Sequence, residues 1–319
     1  MTKEYDFSII TPVFNGAKYI EETILSVLEC SAGYSVEYIV VDDGSTDQTA
    51  TIVKRYEPLL KYVVQENSGE SHAVNRGFRE AKGKLVLVVN DDDPMLTGDL
   101  LSASLKIFLE HPDVIVTYPD WQIIDSNGVV ITKKITPEFS LENLIGKFIC
   151  LPGPGAVFRR SHMLAIGGRD TTLKFLSDYE FWLRMCQLGS FKRIPKVLAQ
   201  WRQHPGSTST SSRGLPMALE RIQVLEKFIN SNGITGLLRK QALGHAYYRA
   251  SVLRYFSRDI PARRWLIKSL WLRKGWVEEL EIRQAIYLFG TPITEKAWKF
   301  VKSLSRNESS HGVKNTQPS

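Results

Sequence analysis

The segment Leu85 to Pro94, LVLVVNDDDP, constrains this chain more than any other. Five consecutive apolar residues, with Val86, Val88 and Val89 β-branched, run directly into three aspartates and a proline. A short unbroken apolar run of this kind is expected of a central strand buried on both faces, as in a parallel sheet covered by helices. The polar half then falls at the carboxyl end of that strand, where open α/β sheets bind their ligands. Asp91, Asp92 and Asp93 repel one another unless something positive neutralises them. A hard divalent cation, Mg²⁺ or Mn²⁺, held by one or two carboxylates together with substrate phosphates, answers that need. Taken alone, the motif equally fits a solvated acidic turn that starts the next helix.

The preceding residues repeat the theme. Phe7 to Ile10 reads as a strand stopped by Thr11-Pro12, and Asn15 as the cap of a helix with Ile20, Ile24, Val27 and Leu28 on one face, closed by Gly33. Glu37 to Val41 is the next strand, ending in Asp42-Asp43-Gly44-Ser45, and Ser45 or Thr46 starts a second helix. Tyr62 to Val64 is a third strand, and a helix from about Ser71 to Lys82 leads to Gly83 and the acidic strand. This alternation predicts a doubly wound, mostly parallel α/β sheet, with Thr11, Asp43 and Asp91/Asp92 near one another on one rim.

Beyond residue 110 the pattern changes. Val114 to Tyr118 reads as a strand. Trp121 to Ile124 and Val129 to Ile131 flank Ser126-Asn127-Gly128, a hairpin turn that predicts antiparallel edge strands. Pro152-Gly153-Pro154-Gly155 is a tight loop leading to Ala156-Val157-Phe158 and the pair Arg159-Arg160. Asp178 to Gln187 reads as an amphipathic helix, and Phe191 to Ile194 and Val197 to Trp201 as closing strands. Pro205 to Ser212 is a run of small residues that marks a domain end near residue 214. Residues 215–304 read as a basic helical appendage in which Tyr247, Tyr248, Arg254, Tyr255, Phe256, Arg264, Trp265, Trp271 and Trp276 interleave aromatic and cationic side chains; residues 305–319 are expected to be disordered.

Charge follows the same division. The net +7 is the sum of −3 over residues 1–214 (23 Lys+Arg, 26 Asp+Glu) and +10 over residues 215–319 (18 and 8). The basic part invites an anionic membrane surface or nucleic acid, but no nucleic-acid motif accompanies the charge, so no nucleic acid is expected as a partner. Cys30, Cys150 and Cys186 have no CxxC spacing, which argues against a disulfide framework or a zinc site and for a reducing, cytoplasmic setting. No apolar run is long enough to span a bilayer, and the N-terminus has no signal pattern. Association with a membrane would then be peripheral, at its inner face.

The ordered blocks FSIITPVFNG, YIVVDDGSTDQT, ENSGESHAVNRGF, GKLVLVVNDDDP, and FRRS followed by LSDYEFWLRM resemble family 2 glycosyltransferases of the GT-A fold, over roughly residues 6–212. An NAD-type dinucleotide fold is the weaker rival, because TPVFNG rather than GxGxxG follows the first strand. The resemblance implies an inverting, metal-dependent transfer of one sugar from a nucleotide sugar, a UDP-sugar first, to a saccharide or lipid-linked saccharide in surface polysaccharide synthesis. It implies that Asp43 contacts the base, with Asp42 beside it and Thr11-Pro12 lining the pocket, and that Asn75-Arg76 lies on the donor side. The family's DxD metal motif is here Asn90-Asp91-Asp92. Asp92 becomes the direct ligand of Mn²⁺ or Mg²⁺ and Asp91 turns toward the ribose or the metal, with Asp93 a supporting acid. Asp178 matches the catalytic base, with Ser177 where many members carry an acid. His204, with Arg202, matches a late segment that closes over the diphosphate or reaches the metal. Arg159-Arg160 anchors the acceptor loop or simply flanks a strand. No QxxRW segment is present, the nearest piece being Gln200-Trp201-Arg202-Gln203, which favours single-sugar transfer. The departures at Asn90 and Ser177 leave a second reading open, a nucleotide-sugar binding protein without turnover.

Overall fold

The computed structural model describes residues 4–147, 152–204, 214–253 and 260–273. Three parallel strands build the first half: β1 (Phe7–Val13), β2 (Val36–Asp42) and β3 (Lys61–Val64). They are followed by helices α1 (Ile20–Cys30), α2 (Thr49–Lys54) and α3 (Glu70–Glu80). The acidic-motif strand β4 (Leu85–Val88) pairs parallel to β1, with Phe7 opposite Leu85 and Ile10 opposite Val88. After α4 (Asp99–Glu110) come β5 (Val114–Ile124), β6 (Val130–Lys134), β7 (Val157–Arg159), α5 (Arg160–Ala165), α6 (Ser177–Met185) and β8 (Ser190–Arg202). The strand order is β3-β2-β1-β4-β7-β5-β6, with β8 parallel on β5.

This is the expected α/β architecture with helices on both faces. One face packs Ile20, Ile24 and Val27 of α1 and Leu100, Leu101 and Phe108 of α4 against Ile9, Val40, Leu87 and Val157. The other stacks Phe158 of β7 on Phe78 of α3 and on Phe181 and Trp182 of α6, ring centroids 5.4–5.9 Å apart. The β5–β6 hairpin is antiparallel, as the Asn-Gly turn predicts, and Gly128 takes φ 83°.

Several elements depart from expectation for local reasons. Strand β1 continues through Pro12. Val89 N–H donates to Ile10 O, so the nitrogen two residues on faces the side where β4 has already turned away, and no ladder bond is lost. The antiparallel β7 is internal, between β4 and β5, rather than at an edge. Strands β5 and β8 each join two segments that read separately, because Pro119 and Pro195 sit at register shifts rather than at strand ends. Asn15 does not cap α1. It takes φ 54°, and its side-chain oxygen instead accepts from Thr46 N and Asp47 N, while Asp47 accepts from Thr49 N and delays α2 to Thr49.

The chain divides into two compact units, residues 1–144 with 149–211, and 145–148 with 212–319. In the second, α7 (Gly214–Ser231), α8 (Gly236–Leu253) and α9 (Ile260–Leu272) bury Leu225, Ile229, Ala246, Tyr247 and Leu266. Tyr247 and Tyr248 are core residues here, whereas Trp271 is 72% exposed. Arg254, Tyr255, Phe256 and Trp276, and the expected tail at 305–319, lie outside the described residues. No described helix is long and apolar enough to cross a membrane.

Candidate active site

The parallel strands deliver their carboxyl ends to one rim. Asp43 N donates to Val13 O, Gln65 N to Asp42 O, and Val89 N to Ile10 O, which ties the ends of β1, β2, β3 and β4 together. Thr11 is fully buried at this rim, 3.2 Å from the Tyr38 hydroxyl. Burial, with the Asp91 charge adding to it, holds the Tyr38 phenol above its ordinary range.

The two residues closing β2 are buried and fully served by the protein. Asp42 accepts from Ser45 N at 2.8 Å and from the Tyr62 hydroxyl at 2.6 Å. Asp43 accepts from Gln65 Nε2 at 2.7 Å, Ser68 N at 2.9 Å and Gly69 N at 2.7 Å. It thereby fixes the loop that leads into α3.

The acidic turn after β4 behaves differently. Asp93 is buried, accepting from Arg202 N at 2.6 Å and Asn90 Nδ2 at 3.0 Å. Burial, with Asp92 beside it, pushes its carboxyl well up. Asp92 meets His204, Oδ2 to Nε2 at 2.9 Å. Thr23 Oγ1 donates to the Asp91 backbone O at 2.8 Å, but no side chain among the described residues donates to the Asp91 carboxylate. Burial first, then the Asp92 charge, raise its pKa to about 8. A Cβ at position 16 would fall 2.1 Å from an Asp91 carboxylate oxygen, so Gly16 keeps that side of the carboxylate clear.

Arg202 holds this turn in place, a role larger than its sequence position suggests. It is 1% exposed. Its Nε donates to Asp92 O at 2.9 Å, its terminal nitrogens reach Asp125 O and Glu22 Oε2, and the guanidinium lies 4.7 Å from the Tyr19 ring centroid. The His204 ring packs on the same tyrosine at 5.1 Å. Tyr19, just before α1, and Glu22 within it escaped the sequence reading because nothing local links them to a residue some 180 positions away.

The opposite wall is formed by the first turns of α3 and α6, joined by a 2.7 Å hydrogen bond between the Ser71 and Ser177 hydroxyls. Asp178 is one residue inside α6 and is not its cap, which is Leu176. Its carboxyl is raised, chiefly by burial; Arg169 opposes and Glu70 assists that rise. Asn75 clamps the Arg169 backbone on both sides, Nδ2 to O and Oδ1 from N, each at 2.8 Å. Arg169 in turn pairs with Glu70 at 2.9 Å. Asn75 therefore serves this wall from α3, and Arg169 joins the site unforeseen.

Three expected residues are not brought to the rim. Arg76 pairs with Glu80 on its own helix, beside Lys61 at the amino end of β3. Because β7 is antiparallel, Arg159 lies opposite Leu85, at the amino end of β4. It donates to Val114 O and Phe108 O, and Arg160 N donates to Lys84 O. The pair flanks a strand at the end of the sheet away from the acidic rim.

The donor set suits a hard divalent cation. Asp91 and Asp92 offer adjacent carboxylates, the first raised by burial and by the Asp92 charge, and His204 stands beside Asp92. Among the described residues no three His, Cys, Asp or Glu side chains converge on one point. Substrate phosphates would have to complete the shell, as is usual for Mg²⁺.

A sequence profile described as Glycosyl transferase family 2 matches residues 8–163, from β1 to α5. An uncharacterized glycosyltransferase of Rickettsia prowazekii is 32% identical over 218 residues, 64% of this chain and 66% of that protein. Residues 8–163 of this chain carry a domain of glycosyl transferase family 2. Hyaluronan synthase of Pasteurella multocida is 26% identical over 232 residues, 72% of this chain but only 23% of the synthase. The chain thus spans just under two thirds of the Rickettsia protein and less than a quarter of the synthase. Among solved structures, S. aureus TarS 1–349 in complex with UDP-GlcNAc aligns with TM-score 0.60 at 21% identity, covering 90% of this chain and 92% of that one. The mannosyltransferase PcManGT of Pyrobaculum calidifontis, in complex with GDP-Man and Mn²⁺, aligns with TM-score 0.52 at 19% identity, covering 98% and 89%. The fold is GT-A.

Proposed function

We propose that this chain is an inverting, metal-dependent glycosyltransferase, moving one sugar from a UDP-sugar to a saccharide or lipid-linked saccharide in surface polysaccharide synthesis. The observation that carries this reading is an acidic turn and a separate, third acid on one rim. Asp91 and Asp92 stand ready for a cation on one wall, and Asp178, raised by burial, stands at the head of α6 on the other. Thr11, Pro12, Asp42 and Asp43 form the floor between, where a base and ribose would lie. Asp92 and His204, with Asp91, would hold Mn²⁺ or Mg²⁺, which when bound neutralises the charge developing on the leaving diphosphate. Arg202 keeps the acidic turn in register with β8. Asp178 takes the proton of the acceptor hydroxyl as its oxygen attacks the anomeric carbon from the face opposite the diphosphate; its raised pKa makes it a stronger base than an ordinary aspartate. The UDP-GlcNAc complex of TarS supports the donor class, and the Mn²⁺ complex of PcManGT the metal. The synthase relative supports a polysaccharide product. The basic residues 215–304 would rest against an anionic membrane, which flotation with anionic vesicles tests.

The deciding experiment measures binding and turnover of UDP-, GDP- and dTDP-sugars with Mn²⁺, with Mg²⁺ and with EDTA. Asp178→Asn is expected to keep donor binding and to lose about 10²–10⁴-fold in transfer rate. Donor binding with no turnover even in the wild type would leave a nucleotide-sugar binding protein; no binding to any donor would end the transferase reading.

A further inference from the structure

Two tryptophans stand where β5 and β8 reach the carboxyl rim. Trp121 and Trp201 meet edge to face, centroids 5.9 Å apart and planes at 82°. Both are only partly buried, and neither indole N–H has a partner among the described residues or is sealed from solvent. The flanking side chains fix the side they occupy. Gln200 donates to Pro94 O and Arg202 to Asp92 O and Glu22, so both face the α1 side of the sheet. Trp201, between them, faces the α6 side, where β8 already sends Phe191 against Trp182. Gly153 of the Pro-Gly-Pro-Gly loop lies against Trp121; a Cβ there would fall 2.9 Å from its indole nitrogen. Strands β4, β5 and β8 run in one direction, which sets the pair on the same rim as Asp92 and on the same face as α6, whose first turn carries Asp178.

We infer that Trp121 and Trp201 form the platform on which a saccharide acceptor lies; this rests on the transferase reading above. Two indoles offer about the area of one pyranose ring, far less than a protein partner covers. A ring face joined to a free N–H donor matches a sugar, which presents an apolar C–H face rimmed by hydroxyls. β-linked sugars with equatorial hydroxyls have the flattest such face and are the expected occupants.

The test titrates full-length protein with cellotetraose, chitotetraose and maltotetraose, reading tryptophan fluorescence, and separately measures donor binding and donor hydrolysis. At least one β-linked probe is expected to shift the wild-type emission. Trp121→Ala and Trp201→Ala should each weaken that probe about tenfold while leaving donor hydrolysis within about twofold. Should the alanine variants fail to fold, Trp121→Phe and Trp201→Phe, which keep a smaller ring and lose the N–H, carry the test and are expected to bind more weakly than wild type. A wild type that binds a nucleotide sugar but responds to none of the three probes overturns the platform, as do variants that bind the probe like wild type. Loss of all donor binding in the wild type strikes the transferase reading instead, and the fluorescence titration still reads the platform by itself.

Discussion

The two acidic pairs at the ends of β2 and β4, the strands on either side of β1, look alike in sequence and are opposite in kind. Asp43 collects three donors from the loop before α3, and Asp42 collects two. Among the described residues the Asp91 carboxylate receives none from another side chain, and the Asp92 carboxylate meets His204. The first pair is finished by the protein and holds the pocket floor rigid. The second is left short of positive charge, which is the condition for binding a cation with its phosphates. What separates them is the supply of N–H groups: a loop of exposed amides turns over Asp43, whereas Asn90 and Arg202 spend theirs on Asp93.

The sharpest test of that contrast is Asp92→Ala. Metal-dependent donor binding should fall by about 10³-fold, since a metal's charge stabilisation amounts to several kcal/mol, with little change in Tm. Isothermal titration with Mn²⁺ and a UDP-sugar reads it, and retained binding would remove Asp92 from the metal site. Next in size, Asp43→Ala strands three donors and should cost about 2–4 kcal/mol, a Tm loss of roughly 5–15 °C. A melt unchanged by this substitution would mean that Asp43 is no more structural than Asp92.

The pH dependence of the metal-free protein comes third. The folded Asp91 titrates near 8 rather than near 4, so its contribution is fully present in acid and is lost as pH rises from about 4 through 8. Asp91→Asn should therefore be more stable than wild type at pH 8 in EDTA, by about 5 kcal/mol at most, and the gap should close at pH 4. A gap that widens toward acid would contradict the sign. The smallest effect belongs to Arg76→Ala, a surface ion pair far from the rim. Stability should change by about 0.5 kcal/mol or less and donor affinity not at all; a large fall in donor affinity would restore Arg76 to the donor site.

Local chemistry sufficed for the alternating strands and helices, the Asn-Gly hairpin and the rim that gathers Thr11, Asp43 and Asp91, because apolar runs and turn residues encode these within a few positions. It also marked Asp92, His204 and Asp178 as candidates, since each sits in a contiguous block. Direction was not legible. That β7 runs antiparallel inside the sheet, and so carries Arg159 and Arg160 to the wrong end, depends on which strands it joins. Nor was the partnership of Arg202 with Tyr19 and Glu22, or of Asn75 with Arg169, for these are contacts across 94 to 183 residues that exist only once the sheet has closed. Sequence by itself determined which residues could carry charge to the rim. The tertiary structure decided which carboxylates the protein neutralises with its own amides and which it leaves for a ligand, because donors reach a buried acid only through the fold.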